Sequence, residues 1–331
     1  MPSFRRAVAP LLCLALAACS SGAALENIST ADVSSETTGS VVAARTPSGA
    51  VGTSLAEEQA RDMEEGAEVA YAETKGAAGK IQVAMAAVAP RPSVPSRGWD
   101  GTIHKARFSD AHPIDFGKVT PKHHAVHGID VSRWQAKMDW DKLRAHGTNF
   151  AFIKATDGGD HLDPMFKANW EAAAKAGVPR GAYHFFYWCR YASQQADWFI
   201  RHVPKEKGAL PPVIDVEWNH QSKCNQNLPR AKVLEKMKVF MDRLEAHYGQ
   251  KPIIYTAPDF YEDNLKGEFK EYPFWLRSVA AHPSKRYPNR EWLFWQYSGS
   301  GLSQGVKGRI DLNVFRGDEA AFRRWVASAS L

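Results

Sequence analysis

Long apolar runs are scarce in this 331-residue chain, and the longest, Ala7 to Ala18, is too short to cross a bilayer as a stable helix. It follows Arg5 and Arg6 and has the length of a signal-peptide h-region, which predicts export and removal of the segment. Charge of one sign is missing too: 42 Lys and Arg against 36 Asp and Glu leave a net of +6. That balance suits an anionic polymer or a membrane surface without requiring either. No helix-turn-helix, finger or RNP-like motif carries the basic residues, so no nucleic-acid partner is expected. Gly158-Gly159 lacks the phosphate-loop pattern, and no G-x-S-x-G elbow supports a serine hydrolase. His123, His124 and His127 cluster, but no spacing of Cys, His and carboxylate marks a metal site, and no cofactor is expected.

Aromatic residues nearly vanish from Ser20 to Arg97, where Tyr71 stands alone, whereas ten of the eleven Trp follow residue 120. A core cannot form without them, so a flexible tether is expected, with a helical patch around Glu57 to Glu73 and a transition over residues 98–122. At its head, Leu16-Ala17-Ala18-Cys19 resembles a bacterial lipobox. The resemblance implies a signal peptide over residues 1–18, lipidation of Cys19 and attachment to a membrane through that lipid. With Ser20 following, the outer membrane of a two-membrane cell, facing the periplasm, is expected. Of four cysteines, Cys13 and Cys19 fall in this region, leaving Cys189 and Cys224. An oxidising compartment permits a disulfide between them, with two buried thiols as the alternative. The organisation expected is a linker over 19–122 and one folded domain over 123–331.

Within that domain short apolar runs alternate with helical patterns. Val126 to Val131, Phe150 to Ala155, Gly181 to Phe186, Val213 to Glu217, Ile253 to Thr256, Phe274 to Leu276, Trp292 to Tyr297 and Ile310 to Phe315 read as strands buried on both faces. Pro164 to Ala176 and Ala192 to His202 are helical in pattern. Pro229 to Tyr248 sets Val233, Met237, Phe240, Met241 and Leu244 on one stripe, opened by Pro229 and closed by Gly249. The alternation argues an α/β fold with a parallel sheet, and eight strands suit a TIM-like (β/α) barrel. The later strands follow one another too closely for full helices, so an irregular barrel is expected.

In a parallel barrel the chemistry sits at the carboxyl ends of the strands. Asp130 ends the first strand, Asp215 and Glu217 end the fourth, and Asp311 lies in the eighth. Asp215 and Glu217 are two apart on an extended chain, so both point to one face. Two acids in one pocket cannot both ionise cheaply; one pKa rises, and that group can serve as a general acid near neutrality. Glycosidic cleavage requires such a donor and a second group at the oxocarbenium-like centre. A lone D-x-E is common at exposed strand ends, but Val213, Ile214 and Trp218 around this one weigh against exposure.

The order of these blocks resembles glycoside hydrolase family 25, the Chalaropsis-type lysozymes. The likeness rests on His127-Gly128-Ile129-Asp130-Val131-Ser132, Phe152-Ile153-Lys154-Ala155-Thr156, Gly181-Ala182-Tyr183-His184-Phe185 and Ile214-Asp215-Val216-Glu217. It continues through Ile254-Tyr255-Thr256, Trp295-Gln296-Tyr297 and Ile310-Asp311-Leu312-Asn313, and spans about residues 126 to 325. It implies a muramidase acting on peptidoglycan glycan strands, with Glu217 the general acid, Asp215 its partner, and Asp130 and Asp311 completing an acidic floor. The second step is open between a carboxylate nucleophile, an activated water and the substrate's N-acetyl oxygen; the D-x-E is similar to that of substrate-assisted hexosaminidases and chitinases, which favours the last.

Around the acids, Tyr183, Tyr255, Trp275 and Trp295 are expected to stack on sugar rings, against the alternative of core packing. Lys154, His184 and Gln296 are expected to hydrogen-bond the substrate. A lysine ending an apolar strand needs an anion, which the acidic floor can supply, whereas His184 is more commonly a satisfied core histidine. A monomer is expected. A chitinase-like enzyme on the same barrel and a non-catalytic wall-binding lipoprotein are the competing readings, the latter disfavoured because a binding module has no need of clustered carboxylates.

Overall fold

A computed structural model describes residues 98–220, 222 and 224–329. The signal segment, Cys19 and the expected tether up to residue 97 lie outside the described residues. Among the described residues ten strands form: β1 (Ser109–Asp110), β2 (His127–Val131), β3 (Ala151–Asp157), β4 (His161–Leu162), β5 (Arg180–Phe185), β6 (Val213–Val216), β7 (Ile253–Thr256), β8 (Phe274–Arg277), β9 (Phe294–Leu302) and β10 (Ile310–Phe315). Helices α1 (Trp140–Ala145), α2 (Phe166–Lys175), α3 (Ala192–His202) and α4 (Arg230–Tyr248) fill the early crossovers. Only the short turns α5 (Pro258–Phe260) and α6 (Pro283–Arg286) and a five-residue π-helical turn intervene later, before the terminal α7 (Glu319–Ala329).

Eight strands close into a barrel in the order β2, β3, β5, β6, β7, β8, β9, β10, with β10 returning to β2. The irregularity expected from the short later connections is a reversal: the barrel strands β2, β3, β5, β6, β7, β8 and β9 run parallel, and β10 is antiparallel to both its neighbours. The segment between Leu302 and Ile310 is too short for a crossover, which takes roughly a dozen residues or more, so the chain turns back.

Strict alternation sorts the strand residues. Phe152, Tyr183, Val213, Ile253, Tyr255, Trp275, Phe294 and Phe315 form the cluster inside the barrel, while Ile153, Ala182, Ile214, Ile254, Leu276 and Leu312 pack outward with the helices. Phe150, Phe322 and Val326 belong to the inner cluster, so α7 closes the end where the parallel strands begin. Burial of each such Phe contributes roughly 2–3 kcal/mol. Gly128 is required in β2 because a Cβ there would stand 2.5 Å from the Phe150 carbonyl oxygen and 2.6 Å from its ring. α4 buries the stripe read from the sequence and ends at Gly249, whose φ of 74° is the left-handed cap that glycine accepts readily.

The folded unit reaches further toward the N-terminus than residue 123. Trp99 packs edge-on against Phe322, Asn149 exchanges hydrogen bonds with the backbone of His104, and β1 adds to the end of β9. Phe116 joins the core against Trp295 at 5.0 Å. Residues 98–122 therefore form a strap over the barrel.

Candidate active site

The acids converge at the open end. Asp311 is the second residue of β10, and because that strand runs backwards, its start lies beside the ends of the others. Its backbone is paired directly with Asp130 of β2. Opposite Asp311, β9 carries extra residues around Gly299, a bulge that brings the Gly299 backbone close to the Asp311 carboxylate. From β6, Asp215 points inward, and the alternation carries on to Glu217 just past the strand; all four acids are buried.

A hydrogen-bonded chain fixes Asp130. Tyr255 Oη donates to Gln296 Oε1 at 2.9 Å, and Gln296 Nε2 donates to Asp130 Oδ1 at 3.0 Å. Asn313 Nδ2 donates to the same oxygen at 2.7 Å, while Trp275 Nε1 donates to Asn313 Oδ1 at 2.8 Å. Complete burial nevertheless raises the Asp130 pKa to about 6, against the lowering effect of Asn313, Gln296, Asp311 and the positive charge of Arg277. Two phenols report the crowding of negative charge. Tyr183 is held well above its ordinary value by burial first and then by Asp130, Asp215 and Asp311 among others; Tyr255 is raised by burial and then by Glu217, Asp215 and Asp130. The Tyr183 hydroxyl is buried in this acidic space with no hydrogen-bond partner among the described residues.

The loops after β5 and β6 are held together behind Glu217. Trp188 Nε1 donates to the Glu217 carbonyl at 2.7 Å, and its ring stacks on Phe260 at 4.9 Å. Cys189 and Cys224 are joined in a disulfide, the first of the two states left open by the sequence.

Several expected sugar contacts lie elsewhere. His184 points outward, stacked on Phe240 at 4.9 Å, with Nδ1 bonded to Thr156 at 2.7 Å and Nε2 to Gln195 at 3.1 Å. Burial lowers its pKa to about 4, so it stays neutral in the core. Trp295 also faces outward, fully buried among Phe116, His124 and Trp292, and donates Nε1–H to the Ser278 carbonyl at 2.9 Å. Both are one residue out of phase with the inward positions of their strands. Tyr183, Tyr255 and Trp275 do face inward, but they are closed off beneath the acids, with Trp275 stacked on Phe152 at 4.6 Å. They and Gln296 support the floor and offer no open ring face.

Lys154 faces inward, yet its anion is Asp157, 2.9 Å away, and not one of the four acids. A register shift between Lys154 and Thr156 puts both partners on the same side. Burial alone would raise Asp157, but Lys154 and His161 hold it below the usual range. Asn313, Asp157 and Arg277 join the site although no single residue of the three stands out by its local pattern. Asn313 stands two residues after Asp311, and Arg277 two after Trp275, so period two could have shown that each shares its neighbour's face. Trp134 and Trp218 are partly exposed just beyond the ends of β2 and β6, so the apolar surroundings expected of the D-x-E pair do not fully bury Trp218.

A barrel that gathers four carboxylates at its open end, Asp130 among them holding its proton above the ordinary carboxylate range, has the layout of a glycoside hydrolase. The sequence pattern of Glycosyl hydrolases family 25 matches residues 129–306, more than half of the chain, and the chain belongs to that family. It is 40% identical over 228 residues to Uncharacterized protein YegX of Escherichia coli O157:H7, which covers 66% of this chain and 80% of that protein. Lysozyme M1 of Streptomyces globisporus is 34% identical over 206 residues, 59% of this chain and 69% of that one. Among solved structures, a family 25 glycosyl hydrolase from Bacillus anthracis superposes with a TM-score of 0.59 at 38% identity, covering 65% of this chain and 98% of its own.

Proposed function

We propose that this glycoside hydrolase is a peptidoglycan muramidase that cleaves the β-1,4 bond from N-acetylmuramic acid to N-acetylglucosamine. The observation that carries the reading is the convergence of Asp130, Asp215, Glu217 and Asp311 at one end of the barrel. The likeness to Lysozyme M1 points to the cell-wall polymer as substrate. Glu217 gives its proton to the bridging oxygen as the bond to the anomeric carbon breaks. The acetamido oxygen of the same muramyl residue attacks that carbon, with Asp215 holding the acetamido N–H. Water then opens the oxazolinium, one of its protons returning to Glu217. Trp134 and Trp218, at the rim, supply the ring faces for the glycan. Cys19 is lipidated and tethers the enzyme to the outer membrane, facing the wall.

Purified sacculi digested with the protein and reduced with borohydride test the bond. Muropeptides ending in reduced muramic acid are expected, and products ending in reduced glucosamine, or equal release from chitin, refute it. Glu217→Gln should lower hydrolysis by about 10²–10⁴-fold, the range for a general acid, while sacculus binding persists.

A further inference from the structure

Arg277 ends β8, and its place in the barrel gives it a role that the four acids alone do not fill. Trp275 is inward and Leu276 outward, so alternation sends Arg277 inward at the open end. Its backbone is paired with Gln296, the residue that donates to Asp130. It is only 9% exposed, and its carbonyl accepts a hydrogen bond from the buried Tyr287 hydroxyl, which also bonds the Thr256 carbonyl at 3.1 Å. The strand end is thereby held between β7 and the segment after α6. A guanidinium cannot lose its proton, so a permanent cation faces the same end of the barrel as the four carboxylates.

We propose that Arg277 is a positioning residue of the catalytic groove, a permanent inward cation that balances the acid cluster and sets how many protons its carboxylates share. The proposal rests on the glycosidase reading of the same site. The groups around it are defined. Asp130 of β2, with its neighbour Asp311 of β10, Asp215 of β6 and Glu217 just past it supply the negative charge. Tyr255 of β7 and Tyr287 are the phenols that feel the Arg277 charge. Asp259 of α5 and Arg286 of α6 are the outer charges felt at Tyr287. Without the cation, each carboxylate meets its neighbours' charge with less compensation. Every acid in the groove then binds its proton more tightly, whether it must be ionised or protonated for turnover.

The bell-shaped pH dependence of kcat/KM on sacculi reads this directly. In Arg277→Met both limbs should move to higher pH by about one unit, with Arg277→Lys returning them most of the way to their wild-type positions and KM changing less than about twofold. Unmoved limbs overturn the proposal, whether activity is retained, lost through kcat, or lost through a KM raised about tenfold; the last result makes Arg277 a substrate contact. If Arg277→Met does not fold, Arg277→Gln is read by the same criteria. Wild-type protein that releases no muropeptides refutes the muramidase reading, whereas active wild type with an unmoved variant profile refutes only the role of Arg277.

Discussion

Asp130 makes the groove a burden on folding, and replacing it should stabilise the protein while disabling it. Its pKa of about 6 in the fold, against 3.8 as the ordinary value, means the folded state holds the proton more tightly than the unfolded chain. Its contribution is therefore most favourable below pH 3.8 and declines as pH rises through about 6. A gap of about two units corresponds to about 3 kcal/mol of destabilisation in full at pH 7.5. Asp130→Asn removes the ionisation and keeps the geometry. The amide oxygen can still accept from Gln296 Nε2 and Asn313 Nδ2, and its NH₂ can donate toward the neighbouring Asp311 carboxylate. For a folded unit of about 230 residues, 3 kcal/mol raises Tm by roughly 6–12 °C. Thermal unfolding followed by circular dichroism should show that gain at pH 7.5, little difference at pH 3.5, and a weaker slope between. Equal melting temperatures for the two proteins at pH 7.5, or a wild type insensitive to pH from 4 to 7.5, would refute the reasoning.

The disulfide offers a separate test. It closes a loop of 35 residues of sequence separation, and the chain-entropy model assigns such a link about 4 kcal/mol. Cys189→Ser with Cys224→Ser should lower the urea midpoint accordingly and reduce kcat, because the loops it joins include Trp188, the donor to the Glu217 carbonyl. An unchanged midpoint would show that packing around Trp188 holds the loops by itself. For the anchor, Cys19→Ala should move the exported protein from the membrane fraction to the soluble periplasm, and continued sedimentation with membranes would exclude lipidation at that residue.

Much of the site was legible because a strand imposes a two-residue period that needs no tertiary information. Asp215 with Glu217 could be assigned to one face from spacing alone, and the apolar runs around them gave the strands and the barrel. The stripe of α4 and its Pro229 and Gly249 boundaries were equally local, fixed by the 3.6-residue period and by backbone preference. The same rule misses when the phase is not known. His184 and Trp295 sit beside inward residues at the ends of strands buried on both faces, where hydrophobicity cannot say which side is in. Only closure of the sheet decided it.

Residues 98–122 read as a transition from the sequence, since their few apolar side chains show no period that would place them. Trp99 and Phe116 find their partners at Phe322 and Trp295, far along the chain. Likewise the sequence by itself determined which acids exist and which pairs share a face, through bond geometry over a few residues. The tertiary structure alone decided that Asp311, near the beginning of its strand, meets Asp130 at the end of another. Reversal of β10 follows from a connection too short for a crossover, and the carboxylates' shared low-dielectric space exists only once the barrel has closed.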